Sequence, residues 1–114
     1  MKSTIMALLL VLSTQTFATE YSCFGTEPFW GIKITEKVLK FDEIIEVKAD
    51  EVILSKTQAH GTMSDYAFLV ETDKTQISVV TGECNDGMSD NIYSHHALVK
   101  TGSQVLYGCC SRSK

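Results

Sequence analysis

From Tyr21 onward, apolar and polar residues alternate in short runs separated by turn formers, the two-residue period of strands with one buried face. "YSCFG" (21–25) is the first such run, ended by Gly25. "FWGIKI" (29–34) is the second, with Trp30, Ile32 and Ile34 on one face and Gly31 and Lys33 on the other. "KVLKFDEI" (37–44) alternates less cleanly. "EVILSKT" (51–57), "MSDYAFLVET" (63–72) and "QISVVTG" (76–82) follow. The loop "ECNDGMSDNIY" (83–93) precedes "HHALVKT" (95–101) and "QVLYGCC" (104–110), with "TGS" (101–103) as a hairpin turn. The stretch from Lys40 to Leu54 comes nearest to a helical period, but Phe41, Ile44, Ile45 and Val47 fit neither template well, and it is assigned to strand. The pattern predicts an all-β fold, a small antiparallel barrel or compact sandwich of seven to eight strands. Closure into a barrel is favoured because it removes exposed edges.

The N-terminus departs from this pattern. "MKSTIMALLLVLSTQTFA" carries one lysine, then an apolar run from Ile5 to Leu12, then small and polar residues ending at Ala18. This reads as a secretory signal peptide over 1–18, with Thr16 and Ala18 at the minus-three and minus-one positions of the cut. The apolar run is too short to span a bilayer as a retained helix. Cys23 follows "TEYS", a poor match to a lipidation signal. The remaining chain, 19–114, is the length of one small β-barrel-like domain. Loss of Lys2 leaves 9 Lys+Arg against 14 Asp+Glu, a net charge of −5. That balance argues against nucleic acid, whose phosphates require cationic surfaces. It favours a basic protein as partner and a monomer, and the signal peptide sends that monomer to the periplasm or outside the cell.

All four cysteines (Cys23, Cys84, Cys109, Cys110) lie in the exported part, which reads as two disulfides in an oxidising compartment. Four cysteines allow three pairings. Cys109 and Cys110 are neighbours and on a strand point to opposite faces, so each is expected to reach a different partner. Of the two pairings that remain, the expectation is Cys84–Cys109 with Cys23–Cys110, the second tying the first strand to the last.

Two stretches could carry chemistry. In "GTEPFW", Gly25 permits a bend, and Pro28 fixes its own φ and biases Glu27 to an extended shape. One reading makes this a strand–turn–strand corner with Trp30 filling the core. The other places Phe29 and Trp30 at the rim of a groove, with Glu27 facing a ligand. In "CNDGMSD", Asn85, Asp86 and Gly87 are turn formers, and Asp86 and Asp90 flank Met88 and Ser89. The run lacks the alternating oxygens and closing glutamate of a Ca²⁺ loop. It reads either as a structured loop held by Cys84 or as a recognition loop. The candidate binding set is therefore Glu27, Pro28, Phe29, Trp30, Asp86, Met88, Ser89, Asp90 and Tyr93.

No catalytic residue, cofactor or metal is assigned. His95 and His96 are adjacent and point apart, and cysteines held in disulfides are neither nucleophiles nor zinc ligands. "SDN" (89–91), "KTG" (100–102) and "SRSK" (111–114) match short motifs of serine β-lactamases, but in reversed order and about ten residues apart.

With "GTEPFW" near the start, "CNDGMSD" past the middle and "LYGCC" at the end, the chain resembles a family of small exported bacterial proteins. That family carries Gly-(Asn/Thr)-Glu-Pro-x-Trp, Cys-x-Asp-x-Met-Ser and a terminal Gly-Cys. It is similar to META/HslJ-like envelope proteins and more distantly to MliC-type inhibitors of C-type lysozyme. The resemblance covers nearly all of 19–114. It implies a small barrel and an envelope address. It implies a cysteine pair at Cys84 and Cys109, which leaves Cys23 and Cys110 for each other. It also raises inhibition of a basic secreted enzyme such as lysozyme as an alternative to a general binding or structural module.

Overall fold

The computed structural model describes residues 19–26, 29–42, 49–87 and 90–113. The segment 1–18, and with it the expected signal peptide, lies outside the described residues. So do Glu27, Pro28, 43–48, Met88, Ser89 and Lys114.

The described residues are all β. Nine strands, β1 (Glu20–Thr26), β2 (Phe29–Ile34), β3 (Val38–Phe41), β4 (Glu51–Val52), β5 (Ser55–Gln58), β6 (Ala67–Glu71), β7 (Thr75–Asn85), β8 (Ile92–Thr101) and β9 (Gln104–Ser113), form one antiparallel sheet. The order across it is β4-β3-β2-β1-β9-β8-β7-β6-β5. The sheet curls as a half-barrel, and its two edge strands, β4 and β5, are consecutive in the chain. The Ile53 N–H donates to Lys37 O on one edge, and the next amide, Leu54 N–H, donates to Glu71 O on the other, both at 2.8 Å. The Thr72 hydroxyl donates to Glu51 Oε1 at 2.7 Å across the same seam. One segment of chain thus supplies both edges of the sheet and joins them through Ile53 and Leu54.

The concave face carries the core. Trp30, Ile32 and Ile34 lie inside, as their alternation requires, with Tyr21, Leu39, Val70, Ile77, Val79 and Val99. Cys110 joins that core bonded to Cys23, its direct cross-strand neighbour, while Cys109 bonds Cys84 outside it. The adjacent cysteines therefore do face opposite ways.

Two glycines make room for Trp30. Gly25 stands directly opposite it in the β1–β2 ladder, and a Cβ there would overlap the indole Nε1. A Cβ at Gly108 on β9 would overlap the Phe24 carbonyl oxygen and lie 2.8 Å from the indole Cζ2. Gly25 is thus not a bend that ends the strand, since β1 runs on to Thr26. It is the bed of the ring, a bare backbone that an aromatic neighbour covers.

Other boundaries also differ from the alternation reading, and the run 51–57 is two strands, β4 and β5. Met63–Tyr66 belong to a turn rather than to a strand over 63–72. Asp65 holds a φ of 65°, and its N–H and carboxylate both bond the Gln58 side-chain amide. The strand expected over 37–44 is β3 at 38–41, with 43 and 44 outside the described residues. Strands β7 and β8 run into the two ends of the expected loop 83–93, with Cys84↔Tyr93 and Asn85↔Ile92 in register, while 86, 87, 90 and 91 belong to no strand.

Candidate functional site

The β7–β8 hairpin is interrupted by a bulge between Thr81 and Cys84, where Gly82 has a φ of 155° that favours glycine. Beyond the bulge the tip lies back over the convex face of the sheet. Four contacts fix it there. Cys84 is bonded to Cys109. The Cys84 sulfur lies 3.8 Å from the Tyr107 hydroxyl, which also lies 2.6 Å from His96 Nδ1. Tyr93 packs edge-on against Phe24 at 4.8 Å between ring centroids. The Thr26 hydroxyl donates to the Asp86 carbonyl at 3.4 Å. The convex face therefore has a small covered cluster of its own, centred on a fully buried disulfide.

These contacts bring the ends of "GTEPFW" and "CNDGMSD" together, although about 60 residues separate them in the chain. Between them is a groove of about 360 Å³. Thr26 and Asp86 stand at its sides, residues 105–108 of β9 form one wall, and Trp30 lies in its floor. Of its lining, Val105 is 61% and Tyr107 58% exposed, and Phe29, the cross-strand partner of Thr26, is 64% exposed.

The candidate residues are thus sorted. Trp30 is buried and packs in the core, with one side toward the groove. Phe29 and Asp90 are exposed, Asp86 and Tyr93 half-buried. Glu27, Pro28, Met88 and Ser89 lie outside the described residues. Phe24, Thr26, Val105 and Tyr107 were not singled out from the sequence. A signal for the last two was present: Leu106 and Gly108 point inward, so the alternation turns Val105 and Tyr107, both large and apolar, toward solvent.

The perturbed titrating groups sit away from this groove, at the end of the half-barrel where Tyr21 meets His95 edge-on at 5.3 Å. Burial, then the Arg112 and His96 charges, lower the His95 pKa below its ordinary 6.5. Burial raises the Tyr21 hydroxyl, with Arg112 opposing and Asp65 adding. Nearby, the Lys56 ammonium lies 4.5 Å from the centre of the Phe68 ring. A histidine buried neutral makes stability depend on pH. Between the lowered folded pKa and 6.5 the unfolded chain binds the extra proton. The contribution of His95 is complete above pH 6.5 and is lost as the pH falls below it. His95→Gln should flatten this slope. In urea titrations near pH 7.5 and pH 5 (about one unit or more either side of the free histidine value), the wild type should lose more stability than the variant. Equal losses would remove His95 from the account.

Among the described residues no group of three or more His, Cys, Asp or Glu is placed to hold a metal ion. The described residues include no helix long and apolar enough to cross a membrane. Comparison with protein-family models, with curated proteins and with solved structures finds no match.

Proposed function

We propose that this chain is an exported, non-catalytic binding module that engages a protein partner through the surface where the two motif hairpins meet. The observation that carries the reading is the Thr26–Asp86 contact. It joins two distant turn-forming stretches around a groove bordered by exposed apolar side chains. Two disulfides fit an oxidising location outside the cytoplasm. Together with the leader-like 1–18 they support the reading of a periplasmic or secreted address. The net charge of −5 and the exposed carboxylates of the hairpin tip support a basic partner, and with it the alternative of an inhibitor of a basic secreted enzyme such as lysozyme.

The test is capture from envelope extract by the purified oxidised domain, beside a Phe29→Ala/Asp86→Ala variant that melts at the wild-type temperature. The expected result is a partner retained by the wild type and lost by the variant. Equal capture by two equally stable proteins would make these residues parts of the fold only.

A further inference from the structure

The β1–β9 ladder stops at Phe24↔Cys109, but β9 starts five residues earlier, at Gln104. Over 104–108 its ladder partner is β8 alone, and the last residues of β1, Gly25 and Thr26, line the groove across from it without entering a ladder with it. The direction of its backbone groups follows from the turn. β8 and β9 are joined by two residues, Gly102 and Ser103, with Gly102 at a φ of 58° in the first central position, a type II′ hairpin. The closing pair Thr101–Gln104 then exchanges hydrogen bonds, and bonded pairs alternate along the ladder as Val99–Leu106 and Ala97–Gly108. The N–H and C=O groups of Val105 and Tyr107 consequently point away from β8, toward the groove. The groove is therefore walled on one side by an open strand edge.

Its chemistry is one-sided as well. The segments 20–32, 75–99 and 101–111, which supply its walls and its surroundings, contain no lysine or arginine. Glu83 and Asp90 on the folded-back tip are exposed and Asp86 is half-buried. The cation nearest in the ladder, Lys100, stands across from Val105 on β8, the side away from the open edge. The apolar side chains along the edge are Val105 and Tyr107, with Trp30 also lining the groove and Phe29 one strand further out, opposite Thr26.

We propose that the groove takes an extended segment of a partner protein, added as a strand along Val105–Tyr107, with apolar side chains alternating with lysine or arginine. Backbone pairing supplies affinity without sequence demand, and the pattern of apolar contact and negative charge supplies selectivity. This deepens the binding-module reading and rests on it.

The probes are synthetic six-residue peptides: alternating Lys and Val, alternating Glu and Val, and two Lys/Val forms N-methylated on every lysine or on every valine. Trp30 is the only tryptophan and reports occupancy of the groove by its fluorescence. In a strand, alternate residues direct their N–H groups to the same side. One N-methylated form should therefore bind like the parent and the other about tenfold or more weaker, the loss of two or so hydrogen bonds. The Glu/Val peptide should not compete. Val105→Pro removes one groove-facing donor while leaving the β8 ladder intact, since proline is tolerated on such an edge. It should melt like the wild type and bind the Lys/Val peptide several-fold more weakly.

Equal binding of both N-methylated forms, equal binding of the acidic peptide, unchanged binding by Val105→Pro, or no Trp30 response at millimolar peptide would each overturn strand addition. If extract capture still depends on Phe29 and Asp86 in that event, the binding surface stands and only its mode is wrong. If capture fails as well, both fall together.

Discussion

Trp30→Ala is expected to lower the unfolding free energy by about 3–5 kcal/mol, among the largest effects of any single side chain here. The ring is 3% exposed and seated on two glycines, so its removal leaves a void that neighbouring side chains are poorly placed to fill. On one side it would leave the bare backbone of Gly25 and Gly108. On the other it would leave the core that also holds Ile32 and Leu106. The same packing makes a small residue too large: Gly108→Ala drives a methyl group into the Phe24 carbonyl oxygen, which is backbone and cannot swing aside. That change should cost about 1–3 kcal/mol or more. Urea unfolding followed by far-ultraviolet circular dichroism measures both. A Trp30→Ala variant within about 1 kcal/mol of the wild type would contradict a core role for the ring.

The second large effect is expected from the disulfides, and the two should differ in kind. Cys23–Cys110 closes a separation of 87 residues and Cys84–Cys109 one of 25, which by chain entropy correspond to about 4–5 and about 3–4 kcal/mol. The first joins the strands that carry the two chain ends and lies in the core. Cys23→Ala/Cys110→Ala should lower the whole unfolding transition. The second holds the hairpin tip against the convex face. Cys84→Ala/Cys109→Ala should also release that tip locally, so that the amides of the paired Cys84, Asn85, Ile92 and Tyr93 lose exchange protection while those of Ile77, Val79 and Val99 keep theirs. Uniform loss of protection in the second variant would contradict the picture of a stapled flap on an independent half-barrel.

How much of this could be read beforehand depended on whether a segment's pattern stayed local. In "FWGIKI" the alternation places three side chains inside, and all three are there. Cys109 and Cys110 obey the same rule, which is why their separate partners were legible. The rule failed where the backbone changed direction. The bulge at Gly82 inserts a residue, shifts the alternation, and makes a paired hairpin tip look like a polar loop. The run from Glu51 to Thr57 reads as one strand, but the chain there crosses from one sheet edge to the other and forms two, β4 and β5. Asn85 and Asp86 were readable as turn formers, but the fold-back that carries Asp86 to Thr26 depends on a bulge and a disulfide acting together. No local pattern encodes that. Nor does "GTEPFW" by itself show that its glycine is flat so that its tryptophan can lie on it.

The central claim is that Trp30 belongs to the fold while the groove above it, with Phe29 at its border, belongs to the partner. Site-specific photo-crosslinking in cells that export the protein tests this most directly. A photoreactive phenylalanine analogue would replace Phe29, and in a second strain Met63, which is 73% exposed in the β5–β6 turn at the other end of the half-barrel. The account predicts one discrete, saturable adduct from position 29 and none from position 63. Crosslinks from both positions, or from position 63 alone, would contradict it.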